Sequence, residues 1–141
     1  MEFVFDDGGR SDAGFKGLAG DCVTRSIAIA TGKPYCEVYE AMAEGMKKFP
    51  GRQGGKRSAR NGVSRCVYDP YLKSLGWSWT ATMSIGSGCQ THLAQKELPG
   101  GRLIVRVSKH VTAVIDGVVH DTFDPSRNGA RCVYGYWSKN Q

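Results

Sequence analysis

Three residues far apart in the chain carry the groups that nucleophilic chemistry at a carbonyl needs: Cys22, His110 and Asp121. A thiolate attacks the carbonyl, an imidazole takes up and returns a proton, and a carboxylate on the other ring nitrogen fixes the tautomer of that imidazole. We therefore predict that the fold brings these side chains together. In this hypothesis Cys22 is the nucleophile, His110 the general base and acid, and Asp121 the group that orients the imidazole.

Cys22 stands where a helix is predicted to begin. Asp21 is a good N-cap, because its carboxylate can accept hydrogen bonds from the amides of the first turn. Apolar residues then recur at helical spacing until Gly32 (Val23, Ile27, Ala30). A thiolate in the first turn is stabilised by the helix dipole and by free amides, and a nearby imidazolium lowers its pKa further. The backbone amide of Cys22 is also placed to contribute to an oxyanion hole.

A predicted β-hairpin positions the other two groups. Asp116-Gly117 is a strong two-residue turn signal between two alternating apolar segments. Counting outward from that turn places Thr112 opposite Asp121, with His110 on the same face of the hairpin. Asp121 is then a diagonal neighbour of His110, close enough for a carboxylate and an imidazole to meet.

The remaining periodicity predicts a single α+β domain over residues 1–141. Helical patterns dominate the first half of the chain and alternating patterns the second, so we expect N-terminal helices packed on a C-terminal antiparallel sheet. The predicted helices cover 22–31, 34–48 and 63–75, with one short helix within 91–98. The predicted strands cover 3–5, 77–82, 102–108, 111–115, 118–123 and 132–137.

Composition bounds the class of protein. Hydrophobic residues make up 40% of the chain and charged residues 23%, which is typical of a globular domain. No apolar run reaches the length that a bilayer demands, so we expect no membrane partner. The five cysteines are odd in number and widely spaced, which argues against a disulfide framework and for free thiols. The acidic N-terminus lacks the features of a secretory signal, so we expect a cytoplasmic protein.

Much of the net charge of +6 is local. Residues 49–62 are predicted to form a flexible basic loop rich in glycine. The basic residues in and before this loop are Lys47, Lys48, Arg52, Lys56, Arg57 and Arg60, with no acidic residue among them. A solvated loop is the simpler interpretation, and an anionic partner such as nucleic acid is the alternative.

Two stretches together resemble small papain-like cysteine hydrolases. Residues 20–30 match the Asp/Asn-Cys-Xaa-Xaa-Arg helix start of that group, and residues 102–122 match its strand–His–strand–Asp half, which is similar to bacteriocin-processing peptidase domains. The whole chain is also similar to proteins of phages and prophages in which both stretches occur. The resemblance implies a papain-like fold and a thiol peptidase or amidase without cofactor or metal. It also implies a protein or peptide substrate and, for a phage-encoded protein, the cytosol of the bacterial host.

The resemblance also implies roles for individual residues. It assigns the nucleophile to Cys22, the general base and acid to His110, and the orienting carboxylate to Asp121. The position that such enzymes fill with an oxyanion-binding glutamine holds Lys16 here, and no glutamine precedes Gln53. The expected oxyanion donors are therefore the Cys22 amide and the Lys16 side chain, with the loop beside Asp21 or the distant Gln90 as alternatives.

Other interpretations of the sequence stay open. Cys89 and His92 have the spacing of a zinc-ligand pair. Cys89 could instead be the nucleophile, although it follows a Gly-Ser-Gly loop rather than a helix start. A non-catalytic binder of nucleic acid or protein is the second functional class. A degenerate hydrolase fold used only for protein contacts is the third.

Overall fold

In the part of the chain that the structure describes, one strand is followed by three helices and then by five strands. The computed structural model describes residues 1–15, 21–48, 62–84, 86–94 and 96–139. Its helices are α1 (Cys22–Thr31), α2 (Tyr35–Lys48) and α3 (Arg65–Ser74). Its strands are β1 (Glu2–Phe5), β2 (Trp77–Ala81), β3 (Arg102–Val107), β4 (His110–Ile115), β5 (Val118–Asp121) and β6 (Val133–Lys139). The class is α+β, as the sequence predicts, and none of the described helices is long and apolar enough to cross a bilayer.

The strands form one mixed sheet in the order β1-β5-β4-β3-β6-β2. Neighbouring strands run antiparallel except β1 and β5, which pair in parallel with Phe3 opposite Val119. The expectation of a purely antiparallel, C-terminal sheet is therefore wrong at this edge, where the N-terminal Phe-Val-Phe segment adds a strand. A short apolar segment indicates a strand but not its partner or its direction, so the sequence finds β1 without its pairing.

The helices begin and end where local signals place them. α1 begins at Cys22 and stops before Gly32, whose φ of 76° is the left-handed conformation that glycine adopts at low cost. α2 follows Pro34 and buries four residues at helical spacing (Tyr35, Val38, Met42, Met46). α3 is shorter than the predicted 63–75 and buries Val67, Tyr68 and Leu72.

Apolar side chains cover both faces of the sheet. The three helices pack on one face, where Ile104 and Trp137 join the helical core. On the other face, Leu93 and Leu98 pack on a second cluster contributed mainly by β3, β4 and β5. β3 is buried on both faces along most of its length. Because a one-residue slip of β4 would turn every side chain to the wrong face, this burial fixes the position of His110 at its start.

The segment around residues 91–93 is extended rather than helical. The Val133 N–H donates to the Thr91 carbonyl at 2.8 Å, and the Leu93 N–H donates to the Arg131 carbonyl at 2.7 Å. The predicted short helix within 91–98 is therefore wrong for the described residues of that range. Its chain instead pairs with the residues that lead into β6.

This pairing brings two cysteines together. Cys89 and Cys132, 43 residues apart in sequence, form a disulfide. The expectation that all five cysteines are free is wrong for this pair, while Cys22, Cys36 and Cys66 are free thiols. Spacing rules give no signal for the pair, because the two residues meet only through the tertiary fold.

Removing this disulfide should lower stability. A link that closes a loop of this size stabilises by about 4 kcal/mol in the chain-entropy account, and measured values are commonly about 2–4 kcal/mol. We expect the Cys89→Ala/Cys132→Ala double variant to lose that free energy of unfolding in urea titrations followed by circular dichroism. Cys36→Ala, at an exposed free thiol, should change it by less than about 0.5 kcal/mol. Equal midpoints for the double variant and the oxidised wild type would contradict this expectation.

Candidate active site

Cys22 is the first residue of α1, and its sulfur meets two groups of β4. The imidazole of His110 and the backbone N–H of Val111 both act on this thiol and lower its pKa. One turn further along α1, the Ser26 hydroxyl donates to the Val111 carbonyl at 3.0 Å and holds the helix against the strand. Cys22, His110 and Val111 line one cleft of about 510 Å³. The thiol therefore lies at the wall of an open cleft rather than inside the core.

His110 opens β4 and is held by a carboxylate. Its Nε2 lies 2.7 Å from Oδ2 of Asp121, which leaves Nδ1 as the ring nitrogen for the sulfur. The half-exposed ring of Phe123 lies 5.0 Å from the imidazole, centroid to centroid. The imidazole is thus confined by a thiol, a carboxylate and an aromatic ring.

The carboxylate of Asp121, 3% exposed, has partners on both oxygens. Besides His110, Oδ2 accepts a hydrogen bond from the Thr112 hydroxyl at 2.7 Å. Oδ1 accepts one from the Thr122 N–H at 2.7 Å and lies 3.5 Å from the guanidinium of Arg25. The fold therefore brings together the three side chains that the sequence selects, with His110 beside both the thiol and the carboxylate.

The hairpin geometry follows the register that its turn predicts. Asp116 and Gly117 both have positive φ, 48° and 81°, as a type I′ turn requires. β4 and β5 pair outward from that turn in the counted register. One further step places Thr112 opposite Asp121, in agreement with the hydrogen bond between them. The predicted register is confirmed.

The electrostatics of the site favour the charged form of each group. Burial by itself would raise the pKa of the Cys22 thiol, but the hydrogen bond and charge of His110, a backbone N–H and the charge of Arg25 together lower it. Burial by itself would lower the pKa of His110, but its bonds to Asp121 and Cys22 raise it to about 9. The pKa of Asp121 is lowered, because its hydrogen-bond donors together outweigh burial. These shifts favour a thiolate paired with an imidazolium.

A buried ion-pair network, which the sequence pattern does not single out, ties α1 to the sheet. The Arg25 guanidinium contacts the Asp21 carboxylate one turn earlier and reaches Asp121 at 3.5 Å. The Tyr35 hydroxyl and the Arg10 guanidinium also contact Asp21. Asp21 precedes α1 as predicted, but its carboxylate makes no capping bond and binds these side chains instead. The sequence signal that could have revealed this network is the i,i+4 spacing of Asp21 and Arg25 on either side of the cysteine.

The oxyanion donors are described in part. Lys16 lies outside the described residues. Gln90 is exposed and does not line the Cys22 cleft. The amide of Cys22 belongs to the first turn of α1, whose N–H groups find no acceptor within the helix. Its position agrees with the prediction that this amide is available as an oxyanion donor.

Cys89 is not a second candidate in this structure. It is bonded to Cys132, and His92 lies 3.6 Å from its sulfur while contacting Glu97 at 3.1 Å. A sulfur in a disulfide is neither a nucleophilic thiolate nor a zinc ligand. Across the described ranges, no group of three or more His, Cys, Asp or Glu side chains is placed to hold a metal.

The structure describes two of the six basic residues on which the prediction of an anionic partner rests. Lys47 and Lys48 are exposed at the end of α2. The rest of that set lies outside the described residues (Arg52, Lys56, Arg57, Arg60).

A larger cavity, about 900 Å³, lies elsewhere, and its lining includes Thr31, Arg102 and Asp116. Its described lining holds no thiol and no imidazole, and none of those residues also lines the Cys22 cleft. Side-chain chemistry rather than size therefore makes the Cys22 cleft the candidate site.

Comparison of the chain with protein-family models, with curated proteins and with solved structures finds no significant match. The argument for function therefore depends on the geometry of the site.

Replacing Arg25 should destabilise the protein strongly. In Arg25→Met the carboxylates of Asp21 and Asp121 lose a buried positive partner, and breaking a buried pair costs about 3–5 kcal/mol. Lys33→Met is the matched control, because Lys33 and Glu37 form an exposed pair at the same i,i+4 spacing, expected to change stability by less than about 1 kcal/mol. Urea unfolding measures both. Similar losses in the two variants would show that the Arg25 network is no stronger than a surface pair.

Proposed function

We propose that this protein is a cysteine-dependent hydrolase of amide bonds, a peptidase or amidase, with Cys22, His110 and Asp121 as its catalytic triad. The observation that carries the proposal is the contact of one imidazole with both partners. His110 Nε2 lies 2.7 Å from Asp121, and the same ring lines the cleft with the thiol of Cys22 and lowers its pKa. A thiol, an imidazole and an orienting carboxylate within hydrogen-bond reach beside an open cleft are what nucleophilic acyl transfer needs.

The reaction would proceed in two half-reactions. The Cys22 thiolate adds to the amide carbonyl carbon, and the oxygen takes the negative charge and accepts the Cys22 N–H. The imidazolium of His110 gives its proton to the amine nitrogen as the C–N bond breaks, which leaves an acyl thioester on Cys22. The neutral imidazole then takes a proton from water, whose oxygen attacks the thioester. The acid leaves, and the thiolate and the imidazolium are restored.

Asp121 acts on the imidazole rather than on the substrate. Its lowered pKa keeps it ionised while the imidazolium gives and regains its proton. The hydroxyl of Thr112 and the amide of Thr122 hold the carboxylate in one orientation. The ring nitrogen that faces Cys22 is therefore the one that moves the proton.

The proposal extends to the fold family and the location. A thiol at the start of a helix, packed against a hairpin that carries the histidine and the aspartate, supports a papain-like domain of the kind found in phage proteins. The cytosol of a bacterial host belongs to the same proposal. The Cys89–Cys132 disulfide argues against the cytosolic location, because disulfides persist in oxidising compartments and are rare in the cytosol.

The pH dependence of Cys22 alkylation tests the ion pair. Iodoacetamide labelling, followed residue by residue by mass spectrometry, should give Cys22 an apparent pKa below the value of about 8.5 that a free cysteine shows. In His110→Ala that apparent pKa should rise to the free value or above, because burial then acts on the thiol without the imidazole. Exposed Cys36 is the reference thiol in the same molecule. A Cys22 profile that matches Cys36, and that His110→Ala leaves unaltered, would contradict the proposal.

Asp121→Asn should weaken the same ion pair without removing the imidazole. Asparagine is neutral, so the pKa of His110 falls, the pKa of Cys22 rises, and alkylation of Cys22 at pH 6 slows by about tenfold for each unit of pKa. Asp124→Asn is the matched control, since this exposed aspartate accepts the Ser126 N–H at 2.9 Å and lies three residues after Asp121. Equal slowing in the two variants would remove Asp121 from the triad.

With a peptide substrate, kcat/KM should fall as pH rises past about 9, where the imidazolium of His110 loses its proton.

A further inference from the structure

The cleft that opens on Cys22 has a basic and aromatic wall. Arg65, Arg106 and Lys109 line it, and Tyr68 and Tyr134 add aromatic surface. Among the described residues no acidic side chain lines the cleft. An incoming substrate therefore meets positive charge close to the thiol.

Arg106 is a fixed charge. Its guanidinium carbon lies 5.2 Å from the ring centroid of Tyr68 and 4.4 Å from that of Trp79, and its Nη2 lies 3.0 Å from Asp69. Asp69 also contacts Arg65 at 3.7 Å, so one carboxylate serves two guanidinium groups. The Nε of Arg106 is buried without a hydrogen-bond partner in the described part of the chain. The positive charge of this wall is therefore only partly neutralised.

Lys109 occupies a strained backbone position next to His110. Its φ of 58° is left-handed, in the two-residue turn that joins β3 to β4. Glycine or asparagine fits such a position more readily than lysine. Backbone strain of this kind concentrates at functional sites, and the lysine side chain lines the cleft. The position therefore indicates a use for this charge beside the imidazole.

We propose that the cleft selects acidic peptides, with an aspartate or glutamate next to the amide that is cleaved. The cleavage rests on the proposed function, whereas the preference for an anion is a property of the cleft itself. Fixed positive charges raise the local concentration of an anionic group and form charge-assisted hydrogen bonds with its carboxylate. A cleft of about 510 Å³ has the size of a site for a few side chains of a peptide.

Paired alkylating reagents test this preference without a known substrate. Iodoacetate and iodoacetamide both lose iodide to a thiolate, and they differ by one negative charge. The ratio of their rate constants, iodoacetate over iodoacetamide, is measured by mass spectrometry at Cys22 and at exposed Cys36. At low ionic strength we expect the ratio at Cys22 to exceed that at Cys36 by about tenfold or more, the combined effect of several nearby charges. In 1 M NaCl, where the screening length is about 3 Å, the difference should shrink.

Substitutions in the basic wall show how much of the alkylation ratio at Cys22 is due to the charges of the wall rather than to the charge of His110. Lys109→Gly removes a charge and relieves the left-handed backbone, so the variant should keep its fold. It should lower the Cys22 ratio by about threefold, the effect of one unit charge several ångströms away through water. Arg65→Gln should do the same. Lys73→Gln, on the same helix as Arg65 but outside the cleft, should leave the ratio unchanged.

The outcomes distinguish this inference from the proposed function. If Cys22 reacts quickly with iodoacetamide at pH 6 but its ratio equals that of Cys36, the preference for acidic peptides is overturned and the hydrolase stands. The same holds if Lys109→Gly and Arg65→Gln both leave the ratio unchanged. A Cys22 inert to both reagents would overturn both proposals. Protection of Cys22 by hexaglutamate but not by hexaglutamine supports the inference. Protection by a single-stranded oligonucleotide where hexaglutamate gives none would overturn it in favour of nucleic acid.

Discussion

The carboxylate of Asp121 is the point at which the helical layer and the sheet are joined through the site. One oxygen holds His110 and Thr112, both on β4, and the other faces Arg25 on α1. Because these partners come from two elements, this buried anion acts with the apolar core and the bond from Ser26 to Val111 to set the position of α1 on the sheet. A buried carboxylate that lost these partners would take up a proton instead. The fold and the candidate site therefore share one electrostatic requirement.

Stability alone does not explain the network around Arg25. A buried ion pair is often no more stabilising than apolar side chains of the same volume, because removing charges from water is costly. The network does give α1 a single orientation, since rotation of the helix would leave Asp21 or Asp121 unpaired. The planar fork of a guanidinium can reach two carboxylates at once, which the single ammonium of a lysine does less well. One orientation is what a nucleophile at the first turn of a helix needs.

Local signals predicted the parts of the site that depend on local geometry. The Asp116-Gly117 turn set the hairpin register, and with it the contact of His110 and Asp121, because two residues of positive φ determine which side chains face each other. The sequence could not give the parallel pairing of β1, the Cys89–Cys132 bond or the reach of α1 to Asp121, which depend on surfaces buried by distant segments. Asp21 shows how a local rule fails: its carboxylate was expected at the helix amides, but a guanidinium one turn away makes the stronger, charge-assisted contact.

The thiol and the imidazole favour each other's charged form. Burial raises the pKa of Cys22 and lowers that of His110, and each group opposes the effect of burial on the other, with Asp121 acting on His110 in the same direction as Cys22. The charge of Arg25 adds to that of His110 in lowering the pKa of the thiol. The buried network that holds α1 on the sheet therefore also favours the nucleophilic form of the first residue of that helix.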